Sequence, residues 1–133
     1  MILVDTSVWV DHLRAVDPEL ARHLDAGRVL VHPFVLGEIA LGSLRRRVEV
    51  LDALAALPNA AVVPESEVLR FIRDRALFGS GIGYVDAHLL ASALAMPSAR
   101  LWTRDRRLLK TAEGLGVALP ERPGPSPTAE AGG

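Results

Sequence analysis

The stretch that decides the fold is the N-terminal Met1-Ile2-Leu3-Val4-Asp5. Three apolar residues, two of them β-branched, lead directly into an acid, and neither Pro nor Gly interrupts them. This pattern predicts a short buried strand whose C-terminal end presents a carboxylate. Because ligands bind at the C-terminal strand ends of parallel α/β sheets, Asp5 is the first candidate site residue.

Two later acids stand in equally apolar surroundings. Glu38 is the only formally charged residue in the stretch 29–44, and Asp86 is the only one in the stretch 76–99. A lone carboxylate in an apolar run is costly to bury unless it is paired or binds a metal. One such acid is commonly a helix cap or a surface residue, but three in one small chain favour a shared cation.

Composition places the chain among ordinary globular proteins. It has 133 residues, of which 50% are hydrophobic and 23% charged, and its formal net charge is −1. That size suits one domain, and that charge leaves nucleic-acid binding to a local basic patch. The absence of cysteine excludes disulfides, thiolate zinc sites and cysteine nucleophiles. No apolar run reaches membrane-spanning length and no signal peptide is recognisable, so we expect a cytoplasmic protein with no membrane partner.

The order of elements predicts an α/β fold for residues 1–119, with a five-stranded parallel sheet and helices on both faces. Thr6 or Ser7 is expected to cap the first helix, and Ser66 a later one. Residues 120–133 are rich in Pro and Gly and are expected to form a disordered tail. The predicted strands cover residues 1–5, 28–31, 61–63, 101–103 and 117–119.

A fourth acid, Asp105, follows the fourth predicted strand by two residues. If a doubly wound sheet reverses direction between its first and fourth strands, Asp5 and Asp105 face the same cleft. Glu38 and Asp86 then enter that cleft from neighbouring helices.

Basic residues surround Asp105. Arg104, Arg106 and Arg107 are predicted to contact phosphate, because a guanidinium binds two phosphate oxygens at once. For the run Arg45–Arg47, a phosphate contact and a solvated helix face remain equally open. The four histidines lack the i, i+4 spacing of a helical metal site, and we interpret them as structural residues.

Four motifs together resemble the PIN domain and, within it, the VapC-type toxins of toxin–antitoxin pairs. The opening strand with its acid and the Thr-x-Asp element at 103–105 match that family, as do the segments around the two helical acids. The matching segments are Met1–Ser7, Val35–Ile39, Val85–Ala91 and Thr103–Leu108. They keep their order over residues 1 to about 119. His88-Leu89-Leu90 departs from the Ile-Ala common in relatives, without touching an acid.

The resemblance implies a five-stranded sheet, a Mg²⁺ or Mn²⁺ site and endoribonuclease activity on RNA. It also implies a homodimer and a cognate VapB-type antitoxin. The residues carried over to catalysis and metal binding are Asp5, Glu38, Asp86 and Asp105. Thr103 is carried over as a supporting hydroxyl that orients a carboxylate or a water.

Other small α/β folds also place acids at strand ends. A phosphorelay receiver domain requires adjacent acids after its first strand, and a haloacid-dehalogenase-type phosphatase requires a second Asp where Ser7 stands. Neither fits. A non-catalytic or regulatory nucleic-acid-binding module, and a PIN nuclease outside any toxin–antitoxin pair, remain the alternatives.

Overall fold

The computed structural model describes residues 1–120, which contain three strands and seven helices. The strands are β1 (Ile2–Val4), β2 (Val29–Leu30) and β3 (Arg100–Trp102). The helices are α1 (Thr6–Arg14), α2 (Pro18–Asp25), α3 (Pro33–Ala40), α4 (Arg47–Ala55), α5 (Glu65–Asp74), α6 (Tyr84–Ala95) and α7 (Arg106–Gly114).

The sheet is parallel and has the order β2-β1-β3. Leu3 at its centre pairs with Leu30 on one side and with Leu101 on the other. These three leucines belong to the main hydrophobic core, which explains why the opening stretch is apolar throughout. Strand β2 lies on one side of β1, and β3, which follows β2 in the chain, lies on the other side. The direction in which strands are added to the sheet therefore reverses between β1 and β3. The parallel α/β prediction is therefore confirmed, and Asp5 and Thr103 follow neighbouring strands at the same edge.

The prediction of five strands is wrong within the described residues, because the expected strand 117–119 is reduced to a single bridge and the expected strand 61–63 does not form. Val31 forms an isolated parallel bridge with Asn59, and Leu101 forms one with Ala118. Both segments lie at the outer sides of the sheet, where they have a partner on one flank only. Pro58 precedes the first bridge and cannot donate a backbone hydrogen bond, which limits the ladder there. Residues 61–63, the predicted third strand, lie beyond this bridge and outside the sheet.

The helices form two groups. Helix α3 packs against α1 and α4, whereas α6 packs against α5 and β3. Helix α1 precedes β2 and α3 follows it, so the contact between these two helices joins the β1-to-β2 connection to the β2-to-β3 connection.

Helix starts bring acids to the carboxyl edge of the sheet. Asp5, and not Thr6 or Ser7, is the N-cap of α1, because its side chain accepts the Ser7 amide. Asp105 is the N-cap of α7, and Asp86 lies in the first turn of α6. The expected cap Ser66 is wrong as well, since α5 begins one residue earlier, directly after Pro64.

The expected tail lies outside the described residues except for Pro120. In the part of the chain that is described, no helix combines the length and apolar character needed to cross a bilayer.

Candidate active site

Asp5 is the buried centre of the candidate site, with 6% of its surface exposed. Its Oδ2 accepts hydrogen bonds from the Ser7 hydroxyl at 2.6 Å and from the Thr103 hydroxyl at 2.8 Å. The Ser7 backbone amide lies 3.4 Å from the same oxygen. Every side-chain hydrogen bond found for Asp5 within residues 1–120 ends on Oδ2, so Oδ1 is the oxygen that remains for a ligand.

The two hydroxyls also join the turns that follow β1 and β3. Ser7 Oγ accepts the amide of Arg104 at 3.0 Å, and Thr103 Oγ1 accepts the amide of Asp105 at 3.1 Å. Each hydroxyl carries one proton, which it donates to Asp5, and therefore receives the amides through its lone pairs. This network fixes the carboxylate of Asp5 relative to the backbone of Asp105.

In each of the other three acids, one carboxylate oxygen also accepts a hydrogen bond from the protein. Asp86 Oδ2 accepts the Gly83 amide at 2.9 Å, and Asp105 Oδ1 accepts the Leu108 amide at 3.0 Å. Glu38 Oε1 accepts the Thr6 hydroxyl at 2.8 Å. In residues 1–120 we find no protein hydrogen bond to the second oxygen of these carboxylates. A hydrogen bond to one oxygen thus orients each carboxylate, and the other oxygen remains for a ligand.

Electrostatics show that the four acids share one region. Burial raises the pKa of Asp86 above its ordinary value, although the Gly83 amide acts in the opposite direction. The charges of Asp5, Asp105 and Glu38 then raise the pKa of Asp86 further. Asp86 is therefore close enough to each of the other three predicted acids to be repelled by it. Three of them lie at helix N-termini, where the helix dipole offsets about 0.3–1 kcal/mol of that repulsion for each.

The resemblance to PIN domains implies a divalent metal, and the donor set suits one. Carboxylate oxygens are the ligands that magnesium and manganese prefer. Within residues 1–120, however, no three His, Cys, Asp or Glu side chains are grouped closely enough to enclose an ion. Magnesium does not require such a cage, because it usually binds one or two carboxylates and keeps several waters. The acids therefore fit a hydrated ion better than one enclosed by protein.

Arg104 occupies a position that sequence reasoning did not anticipate. Its guanidinium forms ion pairs with Asp11 at 2.7 Å and with Asp17, and it lies over the ring of Trp102 at 5.6 Å. Burial alone would raise the pKa of Asp17, but hydrogen bonds from Arg104 and from backbone amides hold that pKa below its usual value. A phosphate contact by Arg104 therefore has to compete with two carboxylates.

The remaining basic residues near Asp105 are exposed. Arg106, Arg107 and Lys110 lie on α7, and the Arg107 side chain lies against Gly81 of the loop before α6. Gly81 has φ +85°, a backbone conformation that favours glycine, and the Arg107 Cδ lies 2.8 Å from the position that a Cβ would take.

Sequence reasoning missed three residues of this region. Ser7 was expected to cap a helix, whereas its hydroxyl binds Asp5. Asp11 and Asp17 were not expected to hold Arg104, since they are separated from it by 93 and 87 residues. The Thr-Ser pair directly after the first acid was the only local signal for Ser7.

The fold and the four acids are those expected of the PIN domain family. The PIN domain family model matches residues 2–114, and the chain belongs to that family. Ribonuclease VapC32 of Mycobacterium tuberculosis (strain CDC 1551 / Oshkosh) is 51% identical over 121 residues, covering 91% of this chain and 98% of the relative. Ribonuclease VapC32 of strain ATCC 25618 / H37Rv matches with the same identity and coverage. The resemblance to VapC-type PIN proteins is thereby confirmed.

Proposed function

We propose that this protein is a Mg²⁺- or Mn²⁺-dependent endoribonuclease that acts as the toxin of a VapBC-type toxin–antitoxin pair. Membership of the PIN family and similarity to two proteins named as VapC ribonucleases support the activity. The single observation that carries the proposal is that Thr103 binds both the Asp5 carboxylate and the Asp105 amide, which brings these two acids together at the carboxyl edge of the sheet. Asp86 is close enough to be repelled by both and by Glu38, and such a group of carboxylates favours a bound cation.

Asp5, Glu38, Asp86 and Asp105 would hold the metal through the oxygen that each presents, directly or through water. When bound, the metal lowers the pKa of a water and offsets charge that develops on the phosphate. The protein's own contribution is orientation: Thr103 and Ser7 hold Asp5, and the Gly83 amide holds Asp86. The substrate is RNA, and the bond hydrolysed is a phosphodiester.

Basic residues beside the acids would guide the RNA backbone. Arg106 and Arg107 are exposed on α7, directly after the capping Asp105. Arg104 joins them in the proposal if phosphate displaces Asp11 or Asp17 from its guanidinium. Phosphate contacts of this kind position the strand without reading its sequence.

A toxin of this type would have two protein partners, an antitoxin and a second copy of the chain. A cavity of about 580 Å³ lies between α1, α3 and α4, with Glu38 at its edge and apolar side chains such as Val10 and Ile39 in its lining. We assign this cavity to a segment of a VapB-type antitoxin that reaches the acids, with an arginine directed at the carboxylates. A homodimer that buries part of α4, where Val48 is 71% exposed, completes the proposal. Its place of action is the cytoplasm.

The proposal is tested with purified protein and a structured RNA. We expect cleavage in Mg²⁺ or Mn²⁺ and none in EDTA. A parallel preparation of Asp5→Asn controls for contaminating nucleases, because that change removes charge from the central acid and keeps its size. Equal cutting by both preparations, or cutting that persists in EDTA, would contradict the proposal.

A further inference from the structure

Two buried histidines that the proposed chemistry does not use lie between the helices that carry Glu38 and Asp86. His32 and His88 are 0% and 1% exposed, and their ring centroids are 6.3 Å apart. Phe34 and Tyr84 pack edge-on against His88, with centroids at 4.8 and 4.6 Å. The four rings therefore form one aromatic contact between α3 and α6.

The hydrogen bonds of His32 define its tautomer. Its Nδ1 accepts the amide of Phe34 at 3.0 Å and so caps the start of α3. A neutral imidazole that accepts at Nδ1 carries its proton on Nε2. Burial, followed by the neighbouring His88, lowers the pKa of His32 to about 4, so the ring is neutral at pH 7. His32 therefore presents a buried Nε2–H donor.

Among the described residues, other buried polar atoms of α6 also lack a protein partner. His32 Nε2, both ring nitrogens of His88 and the hydroxyl of Ser92 are all buried, and none has a protein hydrogen-bond partner within residues 1–120. Ser92 follows His88 by four residues on α6 and so lies on the same side of that helix. Buried polar atoms are almost always hydrogen-bonded, to protein or to ordered water. Four of them in one place indicate a polar network closed by small adjustments or by a buried water.

The position of this network gives it a role. His32 is the N-cap of α3, the helix that presents Glu38, and His88 follows Asp86 by two residues on α6. We infer that the His32–His88 pair is a positioning joint, hydrogen-bonded through His32 Nε2 directly or through a buried water, that sets the placement of Glu38 relative to Asp86. The inference rests on the proposed function, since it gives the joint its purpose. His32 and His88 are positioning residues and do not touch the metal or the RNA.

The joint is tested with variants that separate packing from polarity. His88→Phe keeps an aromatic ring against Phe34 and Tyr84 but removes both nitrogens. His32→Asn keeps a side-chain acceptor for the Phe34 amide but removes the Nε2–H. His23→Phe is the matched control, because His23 also packs on an aromatic ring, Trp102 at 6.0 Å, and has a buried nitrogen without a partner in the described part of the chain.

We expect His88→Phe and His32→Asn to weaken Mn²⁺ binding, measured by electron paramagnetic resonance without RNA, and to lower kcat, each by about 10-fold or more. KM should stay within about 2-fold, because the joint does not contact RNA. The His23→Phe control should keep wild-type values of all three. Folded variants with wild-type Mn²⁺ affinity and kcat would overturn the joint while leaving the proposed function intact. A wild-type protein that neither binds Mn²⁺ nor cuts RNA would overturn both.

A measurement on the wild-type protein covers the case in which a variant fails to fold. Long-range ¹⁵N–¹H correlation spectra of the imidazoles should show His32 as the Nε2–H tautomer, with its proton protected from solvent exchange. The Nδ1–H tautomer, or a rapidly exchanging proton, would contradict the joint without any reference to activity.

Discussion

The Thr103 hydroxyl donates a 2.8 Å hydrogen bond to Oδ2 of Asp5, across 98 residues of sequence. The contact exists because β1 and β3 are neighbours, so the residues that follow them meet at one edge. Replacing Thr103 by Val keeps the shape of the side chain but leaves the buried Asp5 oxygen with one donor fewer. We expect a loss of about 1–3 kcal/mol in the free energy of unfolding, and a lower kcat. Urea denaturation and a cleavage assay of Thr103→Val check this, and Thr103→Ser should retain both properties.

Asp86 links stability to the site. Since its folded pKa is raised, its ionised form is disfavoured in the folded protein at neutral pH. Asp86→Asn removes the charge, and the amide oxygen can still accept from Gly83. We expect this variant to melt at a higher temperature than wild type in EDTA.

Magnesium should reverse the order of the melting temperatures of wild type and Asp86→Asn. At about 100 times its dissociation constant, the metal should stabilise wild type by roughly 2.7 kcal/mol, whereas Asp86→Asn should gain much less. If Asp86 only stabilises the start of α6 through the helix dipole, worth about 0.3–1 kcal/mol, the variant melts lower in EDTA and keeps its response to metal. Melting curves with and without Mg²⁺ distinguish the two cases.

Arg104 should stabilise the folded protein at neutral pH. Its guanidinium is paired with Asp17, whose side chain is 18% exposed, so Arg104→Ala leaves a partly buried carboxylate unpaired. We expect the free energy of unfolding to fall by about 1–2 kcal/mol at pH 7. Because the folded pKa of Asp17 is lowered, the stabilisation is present above its unfolded pKa and is lost as pH falls through the folded value. Denaturation of wild type and variant should therefore converge in acid; a constant difference down to about pH 2 would contradict the pairing.

The basic face of α7 is tested by the salt dependence of RNA binding. Removing Arg106 and Arg107 together should lower the slope of log affinity against log salt by up to about 0.7 for each phosphate that is no longer neutralised. Arg28→Ala with Arg100→Ala is the matched control, because both residues precede or begin parallel strands and so lie at the opposite edge of the sheet from the acids. Slopes that are equal in the two double variants would assign Arg106 and Arg107 to a solvated surface.

The lowered pKa of His32 should make the stability of the folded protein depend on pH. Its folded pKa of about 4 lies below the ordinary value of 6.5, so the unfolded chain binds a proton more readily. This contribution to stability is complete above about pH 6.5 and falls as pH drops toward 4, by at most about 1.4 kcal/mol for each pH unit. His32→Asn should show a shallower fall over that window in denaturant titrations. The raised pKa of Asp86 has the opposite effect on stability, but Asp86 is present in both proteins and its effect cancels in the comparison. Identical pH profiles of stability for the two proteins would contradict the assignment.

Local patterns predicted the parts of the molecule that are locally determined. The apolar run before Asp5 became the central strand, and Glu38 and Asp86 lie on helices, as expected. Asp5, Glu38 and Asp86 were recognisable because each is isolated in an apolar stretch, and Asp105 because it follows a predicted strand.

Contacts between distant residues were not predictable in the same way. Residues 117–119 look like a strand, but strand formation depends on a partner, and only Ala118 bridges to Leu101. The pairing of Arg104 with Asp11 and Asp17 and the meeting of His32 with His88 depend on how helices pack. No spacing in the sequence signals them.

In the proposed function, four carboxylates form one metal-dependent site that cuts RNA. The most direct measurement is the rate of RNA cleavage against Mg²⁺ concentration for Asp5→Asn, Glu38→Gln, Asp86→Asn and Asp105→Asn, with the exposed Asp25→Asn as control. We expect each of the four to lose about 100-fold or more in rate, or to require far more Mg²⁺, while Asp25→Asn matches wild type. Wild-type rates and wild-type Mg²⁺ dependence in the four variants would contradict it.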